Sequence, residues 1–339
     1  MMQPLPWHQA DFDKLLAARA TLPHALLLHG ARGTGKLDFA RALAQALLCE
    51  APAAGGHACG ACGACAWFES GAHPDYARVE PLDTEEREGE EGEKADKGKK
   101  ATVIKIEQIR DLTAFVNVGS QRGGRKVIVI HPCEALNPNA ANALLKSLEE
   151  PPPRTQFILV SHRPHQLLAT IKSRCSQLAL RAPDSATAAA WLAARGMRDP
   201  ALALAYTRDA PLLAVELGDS GYWGTRAAFL RHLTARELDV LGASEAARDF
   251  PLPHVVTWLQ KWAYDVVCFS VLGTVRYNPD QRDAIARVAS AVEPLAAMRF
   301  YRDMVKQQRI AQHPLNARLF IEHLLLAYRD LVQPQGLAA

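Results

Sequence analysis

The stretch "LLLHGARGTGKLDFARALAQALLC", residues 26–49, joins an apolar run to a glycine-rich turn and then to a segment rich in Ala and Leu. This order of strand, turn and helix is typical of a phosphate-binding P-loop, in which backbone N–H groups and a helix amino terminus surround phosphate oxygens while a lysine adds positive charge. The turn therefore indicates a phosphate-binding ancestry. The residues that meet the pattern are Gly30, Gly33, Gly35 and Lys36.

The residues that an ATPase needs beyond the turn are missing. Leu37 stands where a Ser or Thr hydroxyl would hold Mg²⁺. Hydrolysis also requires a carboxylate at the end of a buried strand, and the strand predicted at 126–130 is followed by His131 and Pro132. Glu134 lies too far along the chain to replace that carboxylate simply. The sequence predicts a chain that does not hydrolyse ATP, and it leaves open whether nucleotide still binds.

The cysteines are unevenly placed, and four of the seven form the pattern C-x9-C-x2-C-x2-C. In a cytosolic chain such a cluster indicates a metal before a disulfide. Four thiolates at these spacings can close a tetrahedral zinc site with no open position, so the predicted metal is structural. His57 and His73 are alternative ligands, which we interpret as bystanders. The predicted ligands are Cys49, Cys59, Cys62 and Cys65.

Composition sets the broad class of the protein. The chain has 339 residues, 49% of them hydrophobic and 22% charged, which is ordinary for a globular protein of two or three domains. No uninterrupted apolar run of about 18 residues and no secretory signal is visible, so we expect a cytoplasmic protein without a membrane span. Residues 83–100 hold eight acidic and five basic residues and no large apolar one, and are predicted to form a disordered surface loop. Elsewhere 34 Lys and Arg face 28 Asp and Glu, a mildly basic balance that is compatible with nucleic-acid contact but does not demonstrate it.

Apolar, β-branched runs alternate with helical patterns along the first half of the chain, which predicts a parallel α/β sheet. After Ala182 the pattern becomes helical and no strand pattern recurs. We therefore predict an α/β domain over residues 1–181, containing the cysteine insert 49–65, a small helical domain over 182–222 and a larger all-helical domain over 223–339.

Three further motifs carry a family resemblance. They are "NALLKSLEEPP" at 142–152, "SRC" at 173–175 and "HPLNARLFIEHLLL" at 313–326. Together with the four-cysteine insert, this ordered set resembles the AAA+ clamp-loader family of bacterial DNA polymerase III. The likeness covers nearly the whole chain except the charged loop.

The resemblance implies an AAA+ P-loop domain, a helical lid and a helical collar through which five subunits assemble. It implies gamma/tau and delta subunits as partners, with the sliding clamp and primed-template DNA reached through the complex. It independently implies zinc at the four cysteines. The chain would then be a non-catalytic subunit of a DNA-directed DNA polymerase (nucleotidyltransferase) holoenzyme, helping to load the clamp during DNA replication.

Arg174 of the SRC triplet receives a specific role from the resemblance. In this family that arginine reaches into the ATP site of the neighbouring subunit and stabilises charge on the γ-phosphate. The competing interpretation is an ion pair between Arg174 and a local carboxylate.

We interpret the chain as an ATPase-deficient stator, a clamp-loader subunit that hydrolyses no ATP itself and donates Arg174 to its neighbour. Two other functions compete with this interpretation. The first is an active gamma/tau-like clamp-loader ATPase, which would require a carboxylate where the chain has His131 and Pro132. The second is a zinc-containing nucleic-acid-binding protein with a relic P-loop, which would bind DNA tightly as an isolated chain.

Overall fold

The computed structural model describes residues 2–82, 103–218, 221–235 and 238–333. The chain divides into two compact units, Met1–Pro183 and Asp184–Ala339. The predicted charged loop at 83–100 lies outside the described residues.

The first unit is built on a five-stranded sheet with the strand order β2-β3-β4-β1-β5. Every pair of neighbouring strands is parallel. Because parallel strands need crossover connections, helices lie between consecutive strands and cover the sheet. The strands are β1 (Ala25–His29), β2 (Tyr76–Val79), β3 (Lys126–Ile130), β4 (Thr155–Ser161) and β5 (Ser176–Ala179).

The central strands are buried on both faces, which explains their continuous apolar sequences. Successive side chains alternate between two cores: Leu26 and Val127 face one, whereas Leu27 and Ile128 face the other. The α/β class predicted from the sequence is confirmed. The helices of this unit are α1 (Gln9–Ala17), α2 (Lys36–Leu48), α3 (Gly63–Glu69), α4 (Ile106–Asn117), α5 (Pro138–Glu149) and α6 (Ala169–Arg174).

Helix α5 shows how the sequence sets the ends of an element. The Asn137 side chain accepts a hydrogen bond from Ala140 N at 2.7 Å, and Pro138 occupies the first turn, where its missing N–H costs nothing. The helix ends at Glu149, just before Pro151, because the residue preceding a proline disfavours helical backbone. This cap and stop place Glu149 at a helix terminus, where it meets Arg174 of α6.

The described part of the second unit is helical. Its larger core is built around Trp258, Trp262 and Tyr328, and the Trp262 indole N–H donates to the Tyr328 hydroxyl at 3.0 Å. These aromatic residues therefore pack internally. The helices are α7 (Ser185–Ala193), α8 (Pro200–Thr207), α9 (Pro211–Gly218), α10 (Tyr222–Thr234), α11 (Val240–Ala247), α12 (Leu252–Leu272), α13 (Arg282–Ala291), α14 (Pro294–Ile310) and α15 (Ala317–Val332).

A smaller core within this unit is formed by Ala188, Leu192, Ala203, Leu204 and Ala214, and Trp223 packs against both cores. The division of the helical region at residue 222 into lid and collar stays a prediction. Among the described helices, none combines the length and hydrophobicity needed to cross a membrane.

Candidate nucleotide, arginine and metal sites

The glycine-rich turn connects the carboxyl end of β1 to the amino end of α2, and it keeps the backbone of a P-loop. Gly30, Gly33 and Gly35 all have positive φ angles, at 152°, 77° and 95°. Side chains other than glycine rarely adopt this conformation. A Cβ atom at Gly30 would also lie 2.3 Å from the carbonyl oxygen of Leu180. The predicted turn residues are therefore brought together as the motif requires.

Lys36 begins α2 and is only 2% exposed. Its Nζ donates to the carbonyl oxygen of Ala31, within the same turn. Burial lowers the pKa of Lys36 to about 8, and the nearby Glu134 carboxylate opposes that shift. The amino group thus stays largely charged near neutral pH while bonded to the loop itself.

An amino-terminal segment packs against the turn, which the sequence did not indicate. The Trp7 indole N–H and the His8 ring Nε2 both donate to the carbonyl oxygen of Thr34, each at 2.9 Å. The Leu5 side chain lies so close to Gly35 that a Cβ there would be 2.3 Å from its Cδ1 atom. These residues precede the motif by about 27 positions, so no local pattern connects them.

The end of β3, where an ATPase carries its metal-binding carboxylate, holds a histidine pair. His131 Nε2 lies 3.2 Å from Nε2 of His162, which follows β4. Glu134 does not take the missing position, because its Oε1 accepts the His162 backbone N–H at 2.9 Å. Burial, and then the charge of Lys36, lower the pKa of His162 to about 4, so this ring is neutral at physiological pH.

Arg174 ends α6 and is 32% exposed. Its Nη2 forms an ion pair with Oε1 of Glu149, and its Nη1 donates to the Thr170 carbonyl oxygen at 2.9 Å. The local carboxylate that the sequence left as an alternative partner is therefore present. Because Glu149 is itself 47% exposed, this pair is open to solvent and contributes little to stability.

The cysteines lie close together at the junction of α2 and α3. Their sulfur atoms all lie within 4.8 Å of one another. Cys49 Sγ is 3.6 Å from Cys59 Sγ and 3.9 Å from Cys62 Sγ, too far for disulfides. Four thiolates at about 2.3 Å from a zinc ion are separated by about 3.8 Å. The donor set and its spacing therefore fit a tetrahedral metal centre.

Backbone N–H groups stabilise negative charge at these sulfurs. The N–H groups of Ala61 and Cys62 point to Cys59 Sγ at 3.5 and 3.3 Å. These bonds lower the pKa of Cys59. The N–H of Cys59 also donates to Cys49 Sγ at 3.3 Å, where burial outweighs this bond and raises the pKa of the thiol. Such contacts favour the thiolate, which is the form that binds a metal.

Comparison with known proteins decides the family. A family model described as "DNA polymerase III, delta subunit" matches residues 10–184. The DNA polymerase III subunit delta' of Pseudomonas aeruginosa is 37% identical over 348 residues, covering 97% of this chain and 98% of the relative. The corresponding Escherichia coli subunit is 30% identical over 342 residues, covering 98% and 97%. The chain belongs to the delta-prime family. The resemblance to the clamp-loader family that the sequence motifs indicated is confirmed.

Similarity extends to a related subunit over part of the chain. The DNA polymerase III subunit tau of E. coli is 36% identical over 161 residues, which is 48% of this chain and 22% of the relative. The delta-prime family likeness, in contrast, spans both compact units.

Proposed function

We propose that this delta-prime-family chain is the stator of a clamp loader: it does not hydrolyse ATP itself, and it assists hydrolysis in a neighbouring subunit. The observation that carries the proposal is the end of β3, where His131 contacts His162 at 3.2 Å in place of a metal-binding carboxylate. The imidazole rings of these two histidines cannot replace the carboxylate that holds hydrated Mg²⁺ beside a γ-phosphate.

The altered P-loop supports the same conclusion. Leu37 offers no hydroxyl to Mg²⁺, and Lys36 donates to Ala31 within its own turn. Phosphate binding by the loop's backbone N–H groups would not require Mg²⁺, so weak nucleotide binding is compatible with the proposal. Turnover is not.

We assign Arg174 the role of an arginine finger for the neighbouring ATP site. A planar guanidinium can donate two parallel hydrogen bonds to a phosphoryl group, and it remains charged at all physiological pH values. Arg174 is partly exposed at a helix end, where its guanidinium contacts an exposed carboxylate, a local carbonyl and the Ser173 hydroxyl. Exchanging that partner for a γ-phosphate of higher charge is therefore energetically accessible.

The proposed partners are the gamma/tau and delta subunits in a hetero-pentamer, with the sliding clamp and primed-template DNA contacted through the complex. Support comes from the family membership and from the similarity to tau. The helical region would supply the lid (182–222) and the collar (223–339), and we place the complex in the cytoplasm.

We propose that the four cysteines hold one structural Zn²⁺. Cys49, Cys59, Cys62 and Cys65 would fill all four positions, so the ion would tie the end of α2 to α3 and offer no open site for substrate.

The ATPase rate of the isolated chain tests the proposal. We expect no turnover above background, with Lys36→Ala as the matched control. Turnover that Lys36→Ala abolishes would favour the gamma/tau-like ATPase instead. Tight, specific DNA binding by the isolated chain would favour the zinc-containing nucleic-acid-binding alternative.

A further inference from the structure

A cavity of about 540 Å³ lies in the first unit, beside the amino ends of β3 and β4. The P-loop follows the carboxyl end of β1. Because the strands of the sheet are parallel, the cavity and the P-loop lie at opposite ends of the strands. Four arginines line the cavity: Arg19, Arg122, Arg125 and Arg154. These guanidinium groups outnumber the two carboxylates in the lining, Glu50 and Asp75.

The carboxylates in the cavity wall are already engaged. Arg122 Nε donates to Glu50 Oε1 at 2.9 Å. Asp75 is buried and accepts from Ser120 Oγ at 2.9 Å and from the backbone N–H groups of Gln121 and Arg122 at 2.9 and 3.0 Å. Within the part of the chain that the structure describes, Arg19, Arg125 and Arg154 therefore form no ion pair.

Arg125 is held in place by neutral groups. Its Nη2 donates to the Arg19 carbonyl oxygen at 2.6 Å, and its Nη1 lies 3.5 Å from Oε1 of the buried Gln156. Burial lowers the pKa of Arg125, and the charge of Arg19 lowers it further. The positive charges of Arg19 and Arg125 therefore disfavour each other, and a bound anion would offset that repulsion.

A buried donor without a partner lines the same cavity. His73 is 4% exposed, and its Nδ1 accepts the backbone N–H of Asp75 at 3.1 Å. A neutral ring with Nδ1 as acceptor carries its proton on Nε2. That Nε2 has no hydrogen-bond partner among the described residues. Leaving a buried donor unsatisfied is costly, and this Nε2 lies beneath the cavity wall, where it is shielded from solvent.

We propose that this cavity binds a phosphate-ester oxyanion, with Arg19, Arg125 and Arg154 as its cationic contacts. Guanidinium forks match phosphate oxygens in geometry and charge, and the cavity volume lies within the ordinary range for small-ligand sites. The phosphate belongs either to a free polyphosphate or to the backbone of single-stranded DNA. This binding does not depend on the proposed stator function.

Binding of two probes to the full-length, metal-containing chain tests the proposal. Calorimetry measures inorganic tripolyphosphate, and fluorescence anisotropy measures a labelled oligothymidine strand, each at low and raised salt. The variants are Arg125→Gln and Arg19→Gln. Arg110→Gln is the control, because it removes an exposed arginine of α4 outside the cavity. Lys36→Ala reports binding through the P-loop, and thermal melting verifies that each variant is folded.

We expect Arg125→Gln and Arg19→Gln each to weaken binding by about tenfold or more, and Arg110→Gln to change it by less than about twofold. Raised salt should weaken binding in the native chain more than in the two cavity variants. The probe that responds identifies the source of the phosphate. The proposal is overturned if neither probe binds at millimolar concentration, or if Lys36→Ala abolishes binding that Arg125→Gln leaves intact.

Discussion

Arg174 and Glu149 form an ion pair that joins the end of α6 to the end of α5. Both residues belong to the motifs that indicated the family, "SRC" and "NALLKSLEEPP". The Arg174 side chain, which we propose acts on a neighbouring subunit, is therefore paired with Glu149 within its own chain. Its exposure, 32% for Arg174 and 47% for Glu149, makes it a weak restraint.

Replacing Glu149 tests whether the ion pair restrains Arg174. In a reconstituted clamp loader, Glu149→Gln should keep or raise DNA-stimulated ATPase activity, by at most about fivefold, because an exposed pair is worth about 1 kcal/mol or less. Thermal stability should change little for the same reason. Glu150→Gln is the matched control, since Glu150 forms no ion pair with Arg174. A tenfold fall specific to Glu149→Gln would instead make Glu149 a residue that positions Arg174 for the contact.

Removing one cysteine tests the metal centre. Protein purified without chelator should carry one equivalent of Zn²⁺ by elemental analysis, and Cys62→Ser should release it and lower the melting temperature. The expected loss is several kcal/mol, because a closed four-thiolate site contributes directly to folding. Cys268→Ser, which lies outside the cluster, should retain the metal. Metal-free native protein with unchanged melting would contradict the zinc assignment.

The partly buried Lys261 predicts a pH dependence of stability. Its Nζ donates to the Tyr206 carbonyl oxygen at 2.8 Å, and burial, followed by the charge of Arg226, lowers its pKa to about 7 from 10.5. Between these values the unfolded chain binds more protons than the folded chain, so this group makes the free energy of unfolding rise with pH. The slope is at most about 1.4 kcal/mol per pH unit.

Lys261→Met should remove that slope between pH 7 and 9, as measured by urea unfolding at each pH. The gain in the free energy of unfolding of the variant over the native chain should therefore be largest at pH 7 and smallest at pH 9. Lys306→Met, at an exposed lysine that pairs with Asp303, should retain the native slope. Parallel pH profiles for native and Lys261→Met protein would show that Lys261 is charged in the fold.

The sequence predicted the central strands because burial on both faces demands continuous apolar runs, as in β3 and β4. It missed β5, Ser176–Ala179, whose side chains are largely exposed at the edge of the sheet and show no apolar run. It also located the cysteines and the P-loop, since their spacing is local. The contacts of Trp7 with Thr34 and the arginine cavity unite residues far apart in sequence, which only the fold brings together.

The role of Arg174 in a neighbouring ATP site is tested most directly by the DNA-stimulated ATPase rate of a reconstituted clamp loader that carries Arg174→Ala. An arginine finger contributes on the order of 10³–10⁵ in rate, about 4 to 7 kcal/mol, at the one site it faces. An arginine finger at position 174 predicts normal assembly by size-exclusion chromatography, a partial fall in total ATPase rate, a larger fall in clamp loading, and poor rescue by Arg174→Lys. Normal assembly together with wild-type rates of ATP hydrolysis and clamp loading would contradict it, and would leave Arg174 as only the ion-pair partner of Glu149.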